Sequence, residues 1–207
     1  MIWIKRAGIS LAAVVVLAVA GISPLAYQYF INHNWRTVEE GVMYGSRQMS
    51  GRAFERAFDE YGIRTVVNFR SSNPGTDWYD EEVAACEANG VNLVDLGWSS
   101  KSLPPPDSLL AFLDLIDEGE GPFLIHCAGG THRTGVAAAA YLLHHGATPE
   151  RAREEFKLGF NDAPIGELVT LYERSNLPFR EWVETIYPDV YESWNTQREA
   201  EAEATAK

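Results

Sequence analysis

The apolar run Phe123-Leu124-Ile125-His126 leads without a spacer into Cys127-Ala128-Gly129-Gly130-Thr131-His132-Arg133-Thr134-Gly135, and an Ala-rich stretch to His145 and Gly146 follows. A short apolar strand, a glycine-bearing loop and a helix in direct succession suit one layer arrangement, a sheet covered by helices. The preceding hundred residues repeat the alternation. Gly51 to Tyr61 sets Ala53, Phe54, Ala57, Phe58 and Tyr61 at helical spacing, and Thr65 to Phe69 is a β-branched run that reads as a buried strand. Asp77 to Asn89 reads as a helix with acids in its first turn and Gly90 as a left-handed cap, and Val91 to Leu96 as the next strand. Leu103-Pro104-Pro105-Pro106-Asp107 breaks the chain and opens a helix to about Glu118. The expected fold class is therefore α/β, a central mostly parallel sheet flanked by helices.

Two flanking segments differ in composition. Ala7 to Ala26 carries no charge, is long enough to cross a bilayer, and is followed by Tyr27, Tyr29, Phe30 and Trp35 as an aromatic belt. It reads as one N-terminal transmembrane helix. A signal peptide cleaved after Ala18-Val19-Ala20 and a buried helix are the competing readings. Lys5-Arg6 before the span, with only Arg36 soon after it, keeps the N-terminus in the cytoplasm and places the remainder outside. At the other end, Thr148-Pro149-Glu150 starts further helix, and Tyr191 to Lys207 is a polar, Glu/Ala-rich stretch expected to fray. The expected organisation is an anchor and linker over 1–36, a globular domain over 37–190 and a polar tail over 191–207.

Seventeen Lys and Arg against 29 Asp and Glu give a net charge of −12, which leaves no electrostatic footprint for nucleic acid. An anion must be bound in one local pocket. The loop from Cys127 to Arg133 has the chemistry for it. Gly129 and Gly130 let the backbone curl so that the amides between Ala128 and Arg133 converge, and the helix that follows adds its positive end. Amide donors, helix dipole and Arg133 all favour a thiolate at Cys127. The same donors would hold the equatorial oxygens of a phosphoryl group, with Arg133 taking two of them in a fork. Attack of that thiolate on phosphorus, through a cysteinyl-phosphate, is the reaction this arrangement suits, and Thr134 can donate to the sulfur when phosphate leaves. Cys86 and Cys127 are otherwise too few for a disulfide framework or a zinc site.

His126-Cys127, five residues, then Arg133-Thr134-Gly135 resembles the signature of the protein-tyrosine phosphatase superfamily. Its compact dual-specificity branch, and the atypical phosphatases of plants and fungi with their membrane-anchored bacterial relatives, are the nearest likeness. Tyr44-Gly45-Ser46-Arg47-Gln48 and the stretch Gly62 to Arg70 resemble the bacterial group too, so the likeness runs from about Val38 to Glu173. It implies Cys127 as nucleophile, Arg133 as phosphate-binding residue, and neither metal nor other cofactor.

Such a reaction needs a proton donor for the leaving oxygen. The superfamily carries an Asp some thirty residues ahead of the nucleophile. Asp95 lies 32 residues ahead of Cys127, at the end of a strand, and no carboxylate occurs between Leu96 and Pro106. Asp95 is the expected acid, a strand-end carboxylate bonded to a nearby loop the alternative. Asp162 could position water, and Asp107 reads as a helix-start residue. His126 is expected to hydrogen-bond within the loop. His132 would tune substrate charge preference or face solvent. Arg47 and Arg70 read as surface-paired, with reach to a second phosphate as the other option. Trp78, Trp98 and Trp182 read as core or rim.

The expected partners are a phosphorylated protein or small phosphomonoester, and a membrane through the N-terminal helix. Inositol phosphates or phosphoinositides, a catalytically silent phosphate-binding module, and sulfur transfer remain the alternatives.

Overall fold

The protein is described by a computed structural model, which places residue 24 and residues 26–205. A five-stranded mixed sheet runs in the order β1-β2-β5-β3-β4. Its strands are β1 (Arg36–Glu39), β2 (Met43–Arg47), β3 (Thr65–Asn68), β4 (Asn92–Asp95) and β5 (Phe123–Cys127). Only the β1–β2 pair is antiparallel. The helices are α1 (Gly51–Tyr61), α2 (Asp77–Asn89), α3 (Pro106–Glu118), α4 (His132–His144), α5 (Pro149–Arg153), α6 (Glu167–Tyr172), α7 (Phe179–Thr185) and α8 (Tyr187–Thr205).

The central strands are buried almost throughout because both sheet faces are covered. Val66, Leu124 and Tyr44 point to the face packed by Phe54 and Phe58 of α1 and by Ala85 and Cys86 of α2. Val67, Ile125 and Met43 point the other way, onto Leu109 and Phe112 of α3 and the alanines of α4. Alternation along each strand thus splits the core in two. α2 ends at Gly90, whose φ of 63° is the left-handed conformation expected of it. Thr148 caps α5, accepting from the Arg151 amide at 3.3 Å.

The sequence gives no hairpin over β1 and β2, whose four and five residues are too short to stand out. Two expectations need correction. The polar tail is helical through Thr205: Tyr187 is buried and donates to the Pro104 carbonyl at 2.6 Å, and Trp194 bonds Glu167 at 2.8 Å. Its Ala and Glu are strong helix formers, and its first aromatics pack on the core. Trp35 is not a belt residue, for it stacks on Tyr61 with ring centroids 4.5 Å apart. Among the described residues no helix is long and apolar enough to cross a membrane. The run Ala7–Ala26 and the cleavage position Ala18–Ala20 lie outside the described residues, apart from residues 24 and 26.

Candidate active site

β5 delivers Cys127 to the C-terminal edge of the sheet, between Arg47 of β2, its register partner, and the end of β3. This is the edge where α/β sheets place their sites. The loop 128–131 then rises and α4 begins at His132, which brings Arg133 into the first turn. The bend depends on Gly130. Its φ is +67°, and a Cβ there would sit 2.6 Å from the Arg47 nitrogen and 2.7 Å from the Ser46 carbonyl carbon. Any side chain would push the loop off β2.

Cys127 is buried at 3% exposure. Burial alone would push its thiol up. Hydrogen bonds from the Thr134 hydroxyl and amide, the charge of Arg133 and the Gly130 amide outweigh that, and hold the thiol below its ordinary value. Arg133 is fixed in turn: its Nη1 donates to the Phe69 carbonyl at 2.9 Å and, at 3.5 Å, to that of Trp98. Trp98 itself is core, tilted against Phe69 and edge-on to Phe112, and Trp182 is core as well. Cys86 lies on the opposite face of the sheet, where burial, with the Glu82, Asp95 and Glu87 charges added, pushes its thiol up to about 12.

Beneath the loop lies a support that sequence reasoning missed. Arg36 of β1 is fully buried and donates to the Gly130 carbonyl, and to the Glu155 carbonyl at 2.8 Å. Gly45, its register partner on β2, leaves room for it: a Cβ there would be 2.8 Å from Arg36 Cγ. Asn34 donates to the Gly129 carbonyl at 2.9 Å, so the segment ahead of β1 braces the loop's outer side. Neither residue carries a local sequence signal, since the opposition of Gly45 and Arg36 appears only in the strand register.

His126 does not bond within the loop. Its side chain leaves the sheet on the α2 face and pairs there with the fully buried Glu82, Nε2 to Oε1 at 2.6 Å. Asp95 shares that fate. It stands in register with Asn68 and, through it, with His126, so its side chain leaves on the same face while Cys127 points to the other. Tyr79 donates to Asp95 Oδ2 at 2.5 Å and Asn68 to Oδ1 at 2.7 Å. The strand-end alternative describes it, and the expected acid does not face the thiol. Asp162 is exposed in a turn beyond Phe160, whose ring meets that of His132 at 5.5 Å. Asp107 is in the first turn of α3, as expected. Ala128, Gly129, Gly130 and Thr131 link Cys127 to α4, whose first residue is His132.

Arg47 and Arg70 are not ion-paired among the described residues. Arg47 donates to the Tyr29 carbonyl and lies 4.7 Å from the Tyr29 ring; Arg70 donates to Gln48 and lies 3.4 Å from the Trp78 ring.

A helix-flanked sheet whose central strand hands a lowered-pKa thiol to an arginine-closed, amide-lined loop is the build of a cysteine phosphatase domain of the compact dual-specificity kind. The chain belongs to that family: residues 32–183 match the Swiss Army Knife protein, DSP-PTPase phosphatase domain. A dual specificity protein phosphatase, CDC14C of Symphalangus syndactylus, is 28% identical over 102 residues, covering 49% of this chain and 20% of that protein. The chain spans about a fifth or less of the length of the curated relatives it matches. Among solved structures, the core catalytic domain of PP-IP phosphatase SIW14 from S. cerevisiae superposes with a TM-score of 0.51 at 17% identity, over 80% of this chain and 93% of that one. P. aeruginosa TpbA in complex with pTyr gives 0.53 at 21% identity, over 70% and 87%. These likenesses describe the fold.

Proposed function

We propose that the protein is a metal-independent phosphatase that cleaves phosphomonoesters of the phosphotyrosine type through a cysteinyl-phosphate on Cys127. The observation that carries the reading is a buried thiol held below its ordinary value by the donors that would grip a phosphoryl group. Arg133 Nε is buried and finds no hydrogen-bond partner among the described residues, a donor that an equatorial oxygen takes in a fork. The Cys127 Sγ attacks phosphorus, an S–P bond forms, and the P–O bond to the leaving group breaks with its electron pair on oxygen. Water then attacks phosphorus and gives up a proton to solvent, the S–P pair returns to sulfur, and Thr134 donates to the restored thiolate. No carboxylate faces the thiol from the stretch 96–105, and Asp95 is engaged by Tyr79 and Asn68. The leaving oxygen takes its proton from solvent, so aryl phosphates, which need little protonation, are the favoured class. TpbA's complex with pTyr is the supporting precedent among proteins of this fold.

The anchor belongs to the same proposal. Ala7–Ala26 holds the full-length chain in the membrane, Lys5-Arg6 stays inside and the catalytic domain lies outside. Reporter fusions after Trp35 test it: alkaline phosphatase active and a cytoplasm-requiring fluorescent protein dark is the expected pattern, and the reverse places the domain inside. The catalytic reading is tested by phosphate release from p-nitrophenyl phosphate. Turnover should survive EDTA and be lost in Cys127→Ser; loss on chelation, or undiminished turnover in the variant, overturns it.

A further inference from the structure

Arg70 follows directly on the residue whose carbonyl holds the catalytic arginine. Arg133 donates to the carbonyl of Phe69, the residue joined to Arg70, so the two guanidinium-bearing residues meet at one peptide unit. Burial lowers the Arg70 guanidinium from its ordinary value and the Arg133 charge lowers it further, against a smaller upward pull from the Glu82 and Cys127 charges. Like charges at close range destabilise a fold unless an anion offsets them. No carboxylate pairs with Arg70 among the described residues; the nearby Glu82 spends both oxygens elsewhere, on His126 and Gln48.

Arg70 is nevertheless held from every side. Its backbone N–H donates to Asn68 Oδ1 at 2.8 Å, and Asn68 Nδ2 donates to Asp95, which Tyr79 locks in turn. Ser71, next in the chain, adopts a left-handed φ of 67°. The guanidinium donates to Gln48 Oε1 at 2.9 Å and lies flat on Trp78, 3.4 Å from the ring. Gln48 is itself fixed by Glu82 at 2.8 Å. Two sets of buried or half-buried polar groups therefore converge on one half-buried cation with no ion-pair partner among the described residues, in a chain whose net charge is −12.

We infer that Arg70 is a second anion-binding residue, which takes an acidic group carried by the substrate next to the phosphoryl group seated on the Cys127 loop. The inference rests on the phosphatase reading and narrows it to phosphomonoesters that bear a neighbouring anion, a second phosphate or a carboxylate. Asp95, Asn68 and Gln48 then act as positioning residues for Arg70. With Nη1 on Gln48, Nη2 and Nε of Arg70 make no hydrogen bond among the described residues, so that edge can take an anion side-on, which Lys could not reproduce.

The test compares phenyl phosphate with 1,2-phenylene bisphosphate, and a phosphotyrosine peptide flanked by Glu with one flanked by Gln, for the full-length chain and for Arg70→Ala and Arg70→Lys. The expected result is a higher kcat/KM for the member with the second anion. That advantage should shrink roughly tenfold or more in Arg70→Ala, the scale of one charge-assisted contact, and be only partly kept by Lys. An advantage confined to the bisphosphate assigns the subsite to phosphate, and one confined to the Glu peptide assigns it to a carboxylate. Activity without an advantage in either pair, or an advantage untouched by Arg70→Ala, overturns the inference and leaves the phosphatase reading standing. A chain inactive on all four would instead sink that reading, and the subsite is then read by calorimetry on Cys127→Ser. Pyrophosphate should bind more tightly than inorganic phosphate, with the difference lost on adding Arg70→Ala; equal affinities contradict it.

Discussion

Arg36 holds up Gly130. From the edge strand, its Nη2 donates to the carbonyl of the one loop residue that needs a left-handed backbone, while its Nη1 is tied to Glu155. The curvature of the loop thus depends on a buried cation two strands away from the nucleophile.

Replacing Arg36 by Met leaves the Gly130 and Glu155 carbonyls without this donor and the nearly buried Glu155 carboxylate with Arg151 alone. Removing one member of a buried charge pair costs about 3 kcal/mol. Denaturant unfolding should show a loss of that order together with reduced turnover, and unchanged stability would remove Arg36 from the support role.

Gly130→Ala should abolish turnover, because its Cβ would collide with the β2 backbone rather than with a movable side chain. Gly129→Ala is the control within the same loop. A Cβ there meets only the Tyr29 hydroxyl at 3.6 Å and Thr131 Oγ1 at 3.9 Å, so it should retain far more activity. Steady-state rates for the two variants decide it, and equal losses would contradict the conformational argument. Gly45→Ala should fall between them, since Arg36 must shift to admit it.

The two thiols titrate in opposite senses. Cys127, lowered in the fold, adds stability that is fully present above its unfolded value near 9 and is lost as pH falls through its folded value. Cys86, raised to about 12, does the reverse: its contribution is intact below 9 and is lost between 9 and 12, where only the unfolded chain ionises. Iodoacetamide at neutral pH should therefore label Cys127 and spare Cys86. Cys86→Ala should blunt the fall in stability above pH 9, although it costs packing at lower pH. Because the thiols lie on opposite faces of the sheet, mild oxidation should not join them. A Cys86–Cys127 disulfide in a peptide map would refute this placement.

Asp95→Asn should lower turnover on aryl and alkyl phosphates by the same factor, through disorder of the Asn68–Arg70 turn. A proton donor would show a much larger loss on alkyl phosphates, whose leaving groups need protonation. Rates across a leaving-group series separate the two, and a steep dependence appearing only in the variant would restore Asp95 to the acid role.

The loop from His126 to Gly135 was legible because its determinants are contiguous: a strand, one left-handed glycine and a helix start within ten residues. The alternation from α1 to α4 was legible for the same reason, each element carrying its own period or cap. Arg36 was not, because its role follows from register with Gly45 and from a third strand threading between β2 and β3. Asp95 misled because spacing locates a residue along a strand but not on a face. One residue of parity separates the thiol side from the α2 side. Arg47 and Arg70 read as ordinary surface charges, since the absence of a carboxylate partner is a property of the assembled edge.

The central claim is a covalent phosphoryl group on Cys127. The most direct measurement is mass spectrometry of the full-length chain, mixed with p-nitrophenyl phosphate and quenched within a turnover in alkaline denaturant. The account predicts one phosphoryl group on the peptide carrying Cys127, none in Cys127→Ser, and unaltered labelling in EDTA. Steady phosphate release with Cys127 unmodified throughout, or a phosphoryl group on another residue, would contradict it.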